Sequence, residues 1–554
     1  MVFLWLTISC GTKKSIEHEP NTNDFTISVD PKIKLSDSLF LKGENSLRKN
    51  SYGQWEMVVT GNPMDLGNTL GDLSSELVQQ QEAIFFDKIE ELVPSKFSRY
   101  FLRKFLAWYT RDMYLYVKEE YKDEIYGISP YLSDKYDYIA DKYQRSLYLH
   151  AAHDIGHAMQ DLALVGCSSF AVWGENTPDG KLLIARNLDF YIGDEFSKEK
   201  IITFIYPEKG YKFVSVSWAG FVGVMSGMNE KGLTVTINAG KSDIPLTAKN
   251  PISLVAREIV QYASTIKEAI QIAKKQEVFV SESIMVGSAK DNKAALIEIS
   301  PENFGVFEVK NSSELICSNH FQSAAYQNDE NNNQTIKESH SQYRYDRMVE
   351  LLSNESQITP QKAVDILRNK KGLKEKEIGY GNEKALNQLI AHHGVVFQPD
   401  KKMIWVSANP YQLGAFVAFQ LDSVFNNLEN RKSSFSLPQN IIAKDPFVNS
   451  QSFKDYETYK ITKKKIQNAL KSKVKINQEE LNNFKKLNPN SWEVYYLVGE
   501  YFYQHKYYSA ALIEFNESLT KEISTVPYKE KIENYIKNIK RKLNDSYNRK
   551  KIQN

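Results

Sequence analysis

Cysteine is scarce in this chain, with three in 554 residues, at positions 10, 167 and 317. Three thiols cannot build a disulfide framework. An excess of charge of one sign is missing too. Lys and Arg number 70 against 68 Asp and Glu, a net charge of +2, which points away from a nucleic-acid partner. No stretch approaches the roughly 18 apolar residues that a membrane span needs. What remains is ordinary globular material, 42% hydrophobic, with length for two to four domains.

The chain opens with Met1-Val-Phe-Leu-Trp-Leu-Thr-Ile-Ser-Cys10-Gly11, a short apolar run closing on small residues and a cysteine. Residues 1–10 read as a bacterial lipoprotein signal, with Cys10 as the lipidated N-terminus. The expected location is the bacterial cell envelope, periplasmic or outer surface, with the lipid as the membrane contact. No Lys or Arg precedes the run, and a buried N-terminal strand is the alternative. Residues 11–53, polar and rich in Lys, Ser, Asn and Asp, read as a tether or loosely packed arm.

Residues 54–166 are expected to be mainly helical after a strand at 55–60. Apolar spacing of three and four predicts helices over Glu76–Val93, Ser95–Tyr121 and Lys135–Leu164. The last carries His150, His153 and His157 on one face, with Asp154 and Asp161 nearby. The zinc-protease pattern of an adjoining Glu is absent and no fourth ligand stands out, so no metal is expected. Residues 167–435 read as many short strands with helices in blocks (252–275, 341–353, 360–369) and a surface loop at 328–334, hence an α+β domain. In 436–554, Tyr495, Val498, Gly499, Phe502, Ala511 and Phe515 fall at tetratricopeptide offsets. With 457–486 as a degenerate partner, this predicts a small all-α domain able to offer a protein-binding face; an ordinary helical hairpin is the alternative.

One stretch organises the rest. Val165-Gly166-Cys167-Ser168-Ser169-Phe170-Ala171-Val172-Trp173 is β-prone, Asn176-Thr-Pro-Asp-Gly180 is turn chemistry, and Leu183-Ile-Ala-Arg186-Asn-Leu-Asp189-Phe190 returns. A β-hairpin would bring Cys167 beside Arg186 and Asp189, a thiol with a cation and a carboxylate near it.

Four further stretches look specialised: Gly227-Met-Asn-Glu-Lys-Gly-Leu233 leading to Asn238; Cys317-Ser-Asn319-His320-Phe321; Ser341-Gln-Tyr-Arg344-Tyr-Asp-Arg347; and His393-Gly-Val-Val-Phe-Gln-Pro399. With Gly61-Asn-Pro-Met-Asp-Leu-Gly67, Gly166-Cys167-Ser-Ser and Ala185-Arg-Asn-Leu-Asp-Phe190, their order and spacing resemble the N-terminal-nucleophile hydrolases. The similarity is to the autoproteolytic group around penicillin acyltransferase, choloylglycine hydrolase and acid ceramidase. It runs from about Gly61 to about Leu421.

The resemblance implies an αββα sandwich and a precursor cut between Gly166 and Cys167, its α and β chains staying associated. It implies a Cys167 nucleophile flanked by Arg186 and Asp189, with Asn238 and Asn319 around the developing oxyanion and Arg344 nearby; Arg347, one turn on, competes with Arg344. No cofactor is implied, and the substrate would be a small N-acyl compound with a linear amide. His320 and Cys317 read as structural. An ester or phospholipid deacylase on the same scaffold, or a surface scaffold binding peptides through its terminal repeat, are the rival readings.

Overall fold

The computed structural model describes residues 18–22, 25, 29–158, 165–243 and 247–553. Cys10, and with it the expected signal and anchor, lies outside the described residues, as does Asp161.

Among the described residues the strands form two sheets, of eleven and six strands. The smaller runs in the order Glu314–Cys317, Val165–Val172, Leu183–Phe190, His393–Gln398, Met403–Ser407 and Phe416–Gln420, each pair antiparallel. The larger sheet is antiparallel except where Trp55–Gly61 runs alongside Ile201–Pro207. Side chains alternate between the two faces of each strand. One set meets between the sheets, where Val58, Ile202, Phe204 and Met285 pack against Ala171, Ile184, Val395 and Phe397. The outer face of the smaller sheet, through Phe170, Ala185 and Val396, is covered by helices Ser341–Ser353 and Pro360–Leu367. The outer face of the larger sheet, through Met57, Val59 and Val286, packs on helices that include Pro63–Leu73, Glu119–Ile128 and Ile252–Tyr262.

The Gly61–Gly67 motif has a local physical reason. Asn62 caps the helix Pro63–Leu73 by accepting from the Asp65 amide at 3.0 Å, and Pro63 takes the first turn, where no N–H is needed. Gly67 lets helix Glu119–Ile128 come close, since a Cβ there would lie 2.0 Å from the Glu124 carbonyl oxygen.

Several expectations change. Residues 33–49 are not a tether: Ile33–Ser36, Leu39–Lys42 and Asn45–Lys49 form an edge meander of the larger sheet. Phe40, Leu41 and Leu47 are buried there, and these few apolar side chains outweigh the polar composition around them. The predicted helix 95–121 stops at Tyr109, where the Thr110 hydroxyl takes the Leu106 carbonyl at 2.7 Å, and a new helix starts at Glu119. The predicted helix 252–275 breaks at an extended Ala263, and the Thr265 side chain caps a second helix, Ile266–Ala273. The Asn-rich run is helical rather than a loop, because Asp329 caps Glu330–Glu338 by accepting from the Asn332 amide.

The C-terminal region is helical, Gln451–Ser472 to Val526–Gln553. In it Trp492–Gln504 and Tyr508–Leu519 pack as a pair, with Gly499 against the Phe515 ring. This region is joined to the sheets: Leu389, Ala391, Tyr411 and Leu413 enter the same buried cluster as Tyr456, Tyr459 and Trp492.

Candidate active site

The hairpin predicted around Cys167 is present. Its register sets Gly166 across from Asp189, Cys167 across from Leu188 and Ser169 across from Arg186. Residues directly opposite share a face, and adjacent residues along a strand take opposite ones. Cys167, Ser169 and Arg186 therefore face the space between the sheets, while Ser168 and Asp189 face the other way. The nucleophile candidate is handled separately on its two sides.

On the thiol side, Arg186 is fully buried and reaches across to the larger sheet. Its Nη1 donates to the Met225 carbonyl at 3.0 Å and the Ser226 hydroxyl at 2.5 Å. Its Nη2 donates to the Ile237 carbonyl and lies 3.6 Å from the Cys167 Sγ. Burial pushes the Cys167 thiol up, while Arg186 pulls it down. Burial wins, and the thiol is protonated at neutral pH.

On the main-chain side, the Cys167 amide donates to Asn319 Oδ1 at 3.0 Å. Arg344, on the helix Ser341–Ser353, donates from Nη2 to that same Oδ1 at 2.5 Å. From Nη1 it donates to the Cys167 carbonyl at 2.6 Å and the Ser168 hydroxyl at 2.8 Å. His340 Nδ1 sits 3.1 Å from Arg344 Nη2. Burial and the Arg344 charge hold that imidazole down at about 3, so it is a neutral acceptor. Asp189 is fully buried, and burial raises its carboxyl to about 7 against the pull of Arg344 and Arg186. Its Oδ2 accepts from Gln388 Nε2 at 3.3 Å, and its Oδ1 has no hydrogen-bond partner among the described residues.

Cys167, Arg186, Asp189, Asn319 and Arg344 are thus brought together. Asn238 is near but turned to another task. Its Nδ2 donates to the Cys317 and Ser318 carbonyls at 3.2 and 3.3 Å, and its Oδ1 accepts from the Ser169 hydroxyl at 2.7 Å. In this state it braces the strands instead of aiming a free donor at the thiol. Arg347 is excluded from the site by ion pairs with Glu350 at 2.8 Å and with Glu375. His320 holds the Ser341 hydroxyl at 2.8 Å, and Cys317 is buried in the inter-sheet core.

On helix Lys142–Ala158, His150 and His153 are spent on packing, and the His157 side chain lies outside what is described. His150 has both ring nitrogens engaged, with the Ser146 carbonyl at 2.7 Å and the Val222 amide at 3.0 Å, and His153 pairs with Asp154 at 2.9 Å. Among the described residues no group of three His, Cys, Asp or Glu side chains is arranged to hold a metal ion.

Nothing in the sequence singles out Gln388. A Cβ added to Gly166 would lie 2.9 Å from Gln388 Nε2, so this amide lies against the residue that precedes Cys167 as well as against Asp189. No motif surrounds Gln388; only the fold brings it here.

Residues 175–409 match the family described as acyl-coenzyme A:6-aminopenicillanic acid acyl-transferase. That family is of the N-terminal-nucleophile hydrolase type, and the match covers less than half of the chain. The matched segment begins after Cys167 and contains Arg186, Asp189, Asn238, Asn319 and Arg344. An uncharacterised protein of Archaeoglobus fulgidus is 28% identical over 278 residues, 46% of this chain and 45% of that protein. Protein dcd1B of Dictyostelium discoideum is 26% identical over 155 residues, 27% of this chain and 31% of that protein. The chain spans less than half the length of these curated relatives. Two solved structures are similar to part of this chain. The Caenorhabditis elegans N-acylethanolamine-hydrolyzing acid amidase ortholog has a TM-score of 0.31 and 17% identity, over 42% of this chain and 93% of that one. A mutant of conjugated bile acid hydrolase from Clostridium perfringens has 0.31 and 16%, over 46% and 92%.

Proposed function

We propose that this chain is a self-processing cysteine amidase or acyltransferase whose nucleophile becomes the N-terminus of a β chain after cleavage between Gly166 and Cys167. The observation that carries this reading is the setting of one amide nitrogen. Cys167 N lies 3.0 Å from Asn319 Oδ1, next to a strand position where Gly166 faces Asp189, while the thiol of the same residue lies by Arg186 on the other face. The helix–sheet–sheet–helix layering fits the αββα sandwich of such enzymes.

In processing, Cys167 Sγ attacks the Gly166 carbonyl carbon, and the acyl group moves from nitrogen to sulfur. Water then hydrolyses the thioester, leaving a carboxylate on Gly166 and a free amine on Cys167. An α-amine has a reference pKa near 7.7–8.0 and a thiol near 8.5, so the new amine can take the proton of its own side chain. As an ammonium it keeps Asn319 Oδ1 as an acceptor and gains Asp189 Oδ1. Arg186 then stabilises the thiolate that attacks an N-acyl substrate, and the acyl-thioester passes its acyl group to water or an amine. Asn319 Nδ2, which donates to the Ala239 carbonyl at 2.9 Å in the uncut chain, is the donor that would turn to the oxyanion. Cys167 is wholly buried, so withdrawal of the new Gly166 terminus, with the α and β chains still associated, is what opens the thiol to substrate.

The membrane contact through a lipid on Cys10 and the envelope location belong to the same proposal, as does a protein partner for the C-terminal helices. Intact-mass measurement of the expressed chain and its Cys167→Ala variant tests the central step. The wild type is expected as two chains with Cys167 as a new N-terminus, and the variant as one. A wild-type chain that stays whole and turns over no N-acyl compound would sink the proposal.

A further inference from the structure

Behind Arg186 lies a row of polar groups that the chemistry above does not use. Ser226 Oγ, which accepts from Arg186 Nη1 at 2.5 Å, lies 2.9 Å from His393 Nε2. His393 Nδ1 lies 2.8 Å from His392 Nδ1. All four residues are fully buried. The register explains the alignment: Cys167 sits across from Leu188, and Leu188 across from His393, so thiol and imidazole share the inner face on strands flanking the one that carries Arg186.

Hydrogen-bond direction can be read along the row. Arg186 can only donate, so Ser226 Oγ accepts from it and has one hydrogen to give. The acceptor in range is His393 Nε2. A neutral His393 with a bare Nε2 carries its proton on Nδ1 and gives it to His392 Nδ1. His392 then holds its proton on Nε2, which has no hydrogen-bond partner among the described residues and lies among the Phe196 and Trp218 rings. The reverse direction would leave the Ser226 hydrogen without an acceptor and put two donors on the oxygen facing a cation. Burial, with Arg186 and the buried Lys200 nearby, holds both imidazoles well below their usual range, so both are neutral.

We propose that His393 is a positioning residue for the nucleophile: by accepting the Ser226 hydrogen it fixes the Ser226 lone pair on Arg186 and so holds the guanidinium against the Cys167 thiol, with His392 fixing the tautomer of His393. This rests on the reading of Cys167 as the nucleophile. The Met225 and Ile237 carbonyls hold Arg186 in either case, so Ser226 is the one acceptor that can rotate; once it does, the guanidinium sits less steadily against the sulfur and a thiolate forms less readily.

The test uses the processed full-length protein and iodoacetamide. Alkylation of Cys167 is followed by mass from about pH 5 to pH 9, beside thermal melting, for the wild type, His393→Phe, His393→Gln and Ser226→Ala. His393→Phe is expected to move the alkylation midpoint up by about one pH unit, about tenfold slower at neutral pH, and Ser226→Ala likewise. His393→Gln, whose amide oxygen can stand where Nε2 stood, is expected within about twofold of wild type. Wild-type midpoints in both His393→Phe and Ser226→Ala would overturn the inference, and if His393→Phe does not fold, Ser226→Ala decides alone. A wild-type Cys167 that does not alkylate would instead sink the proposed function, so the two failures are told apart.

Discussion

Arg344 and Asn319 hold the backbone of Cys167 as one unit. Arg344 Nη2 donates at 2.5 Å to the same Asn319 Oδ1 that receives the Cys167 amide at 3.0 Å, while Nη1 holds the Cys167 carbonyl at 2.6 Å. The guanidinium therefore fixes the amide acceptor and the carbonyl together, which defines where the backbone of Cys167 sits.

Replacing Arg344 by Lys keeps a charge and loses the fork. Hydrogen bonds to charged groups contribute about 1.5–3 kcal/mol each, so loss of one or two is expected to slow processing by at least about tenfold and to lower stability by several kcal/mol. The fraction of uncut chain against time, read by mass, measures the first, and denaturant unfolding the second.

Asn319→Asp separates processing from turnover. An Asp keeps the oxygen that receives the Cys167 amide and removes the Nδ2 donor. Cleavage is expected to continue while acyl transfer falls by about 10²–10³, the usual loss for one oxyanion donor. Comparison of the cleaved fraction with the turnover rate of the cleaved material checks it.

Asp189 predicts a pH dependence for the uncut chain. Its folded carboxyl titrates at about 7 against 3.8 for an unperturbed one. The folded state holds that proton more tightly, so this contribution to stability is fully present below about pH 4 and is lost as pH rises to about 7. The loss is on the order of 4 kcal/mol at most. Melting curves of Cys167→Ala and Cys167→Ala/Asp189→Asn should converge at acid pH and separate toward neutral, with the Asn variant the more stable there. Parallel curves would show that Asp189 stays ionised.

The helical region is expected to be indispensable to processing. Lys376 and Lys384 both pair with Glu522 at 2.8 and 2.7 Å, Tyr380 and Asn488 exchange hydrogen bonds, and Leu389 enters the helical core. These contacts seat residues 376–389, which carry Gln388 onto Asp189. Truncation before residue 451 should leave an uncut or insoluble chain, measured by mass and by sedimentation. Gln388→Ala in the full chain should stay folded and cut more slowly.

Local signals are strong around Cys167. Pro178-Asp179-Gly180 marks a turn in any context, Gly180 takes a positive φ of 69°, and apolar alternation on both flanks gives the register that puts Arg186 and Asp189 beside Cys167. Residues 33–49 read as a polar arm because three buried apolar side chains do not stand out against polar neighbours. The break after Tyr109 does not show in the sequence because helical spacing continues across it.

The hairpin, its thiol, the cation and carboxylate three residues apart, and the order of the later motifs are all legible in the chain before it folds. Each follows from turn chemistry and strand alternation acting over a few residues. Only the packed layers exclude Arg347 in favour of Arg344, turn Asn238 to the Cys317 and Ser318 carbonyls, and bring Gln388 to Asp189 and His393, through Ser226, to Arg186. Those choices join residues as far apart as Cys167 and Arg344, 177 positions along the chain. Such pairings depend on which layers pack and in what register, and no local pattern carries that information.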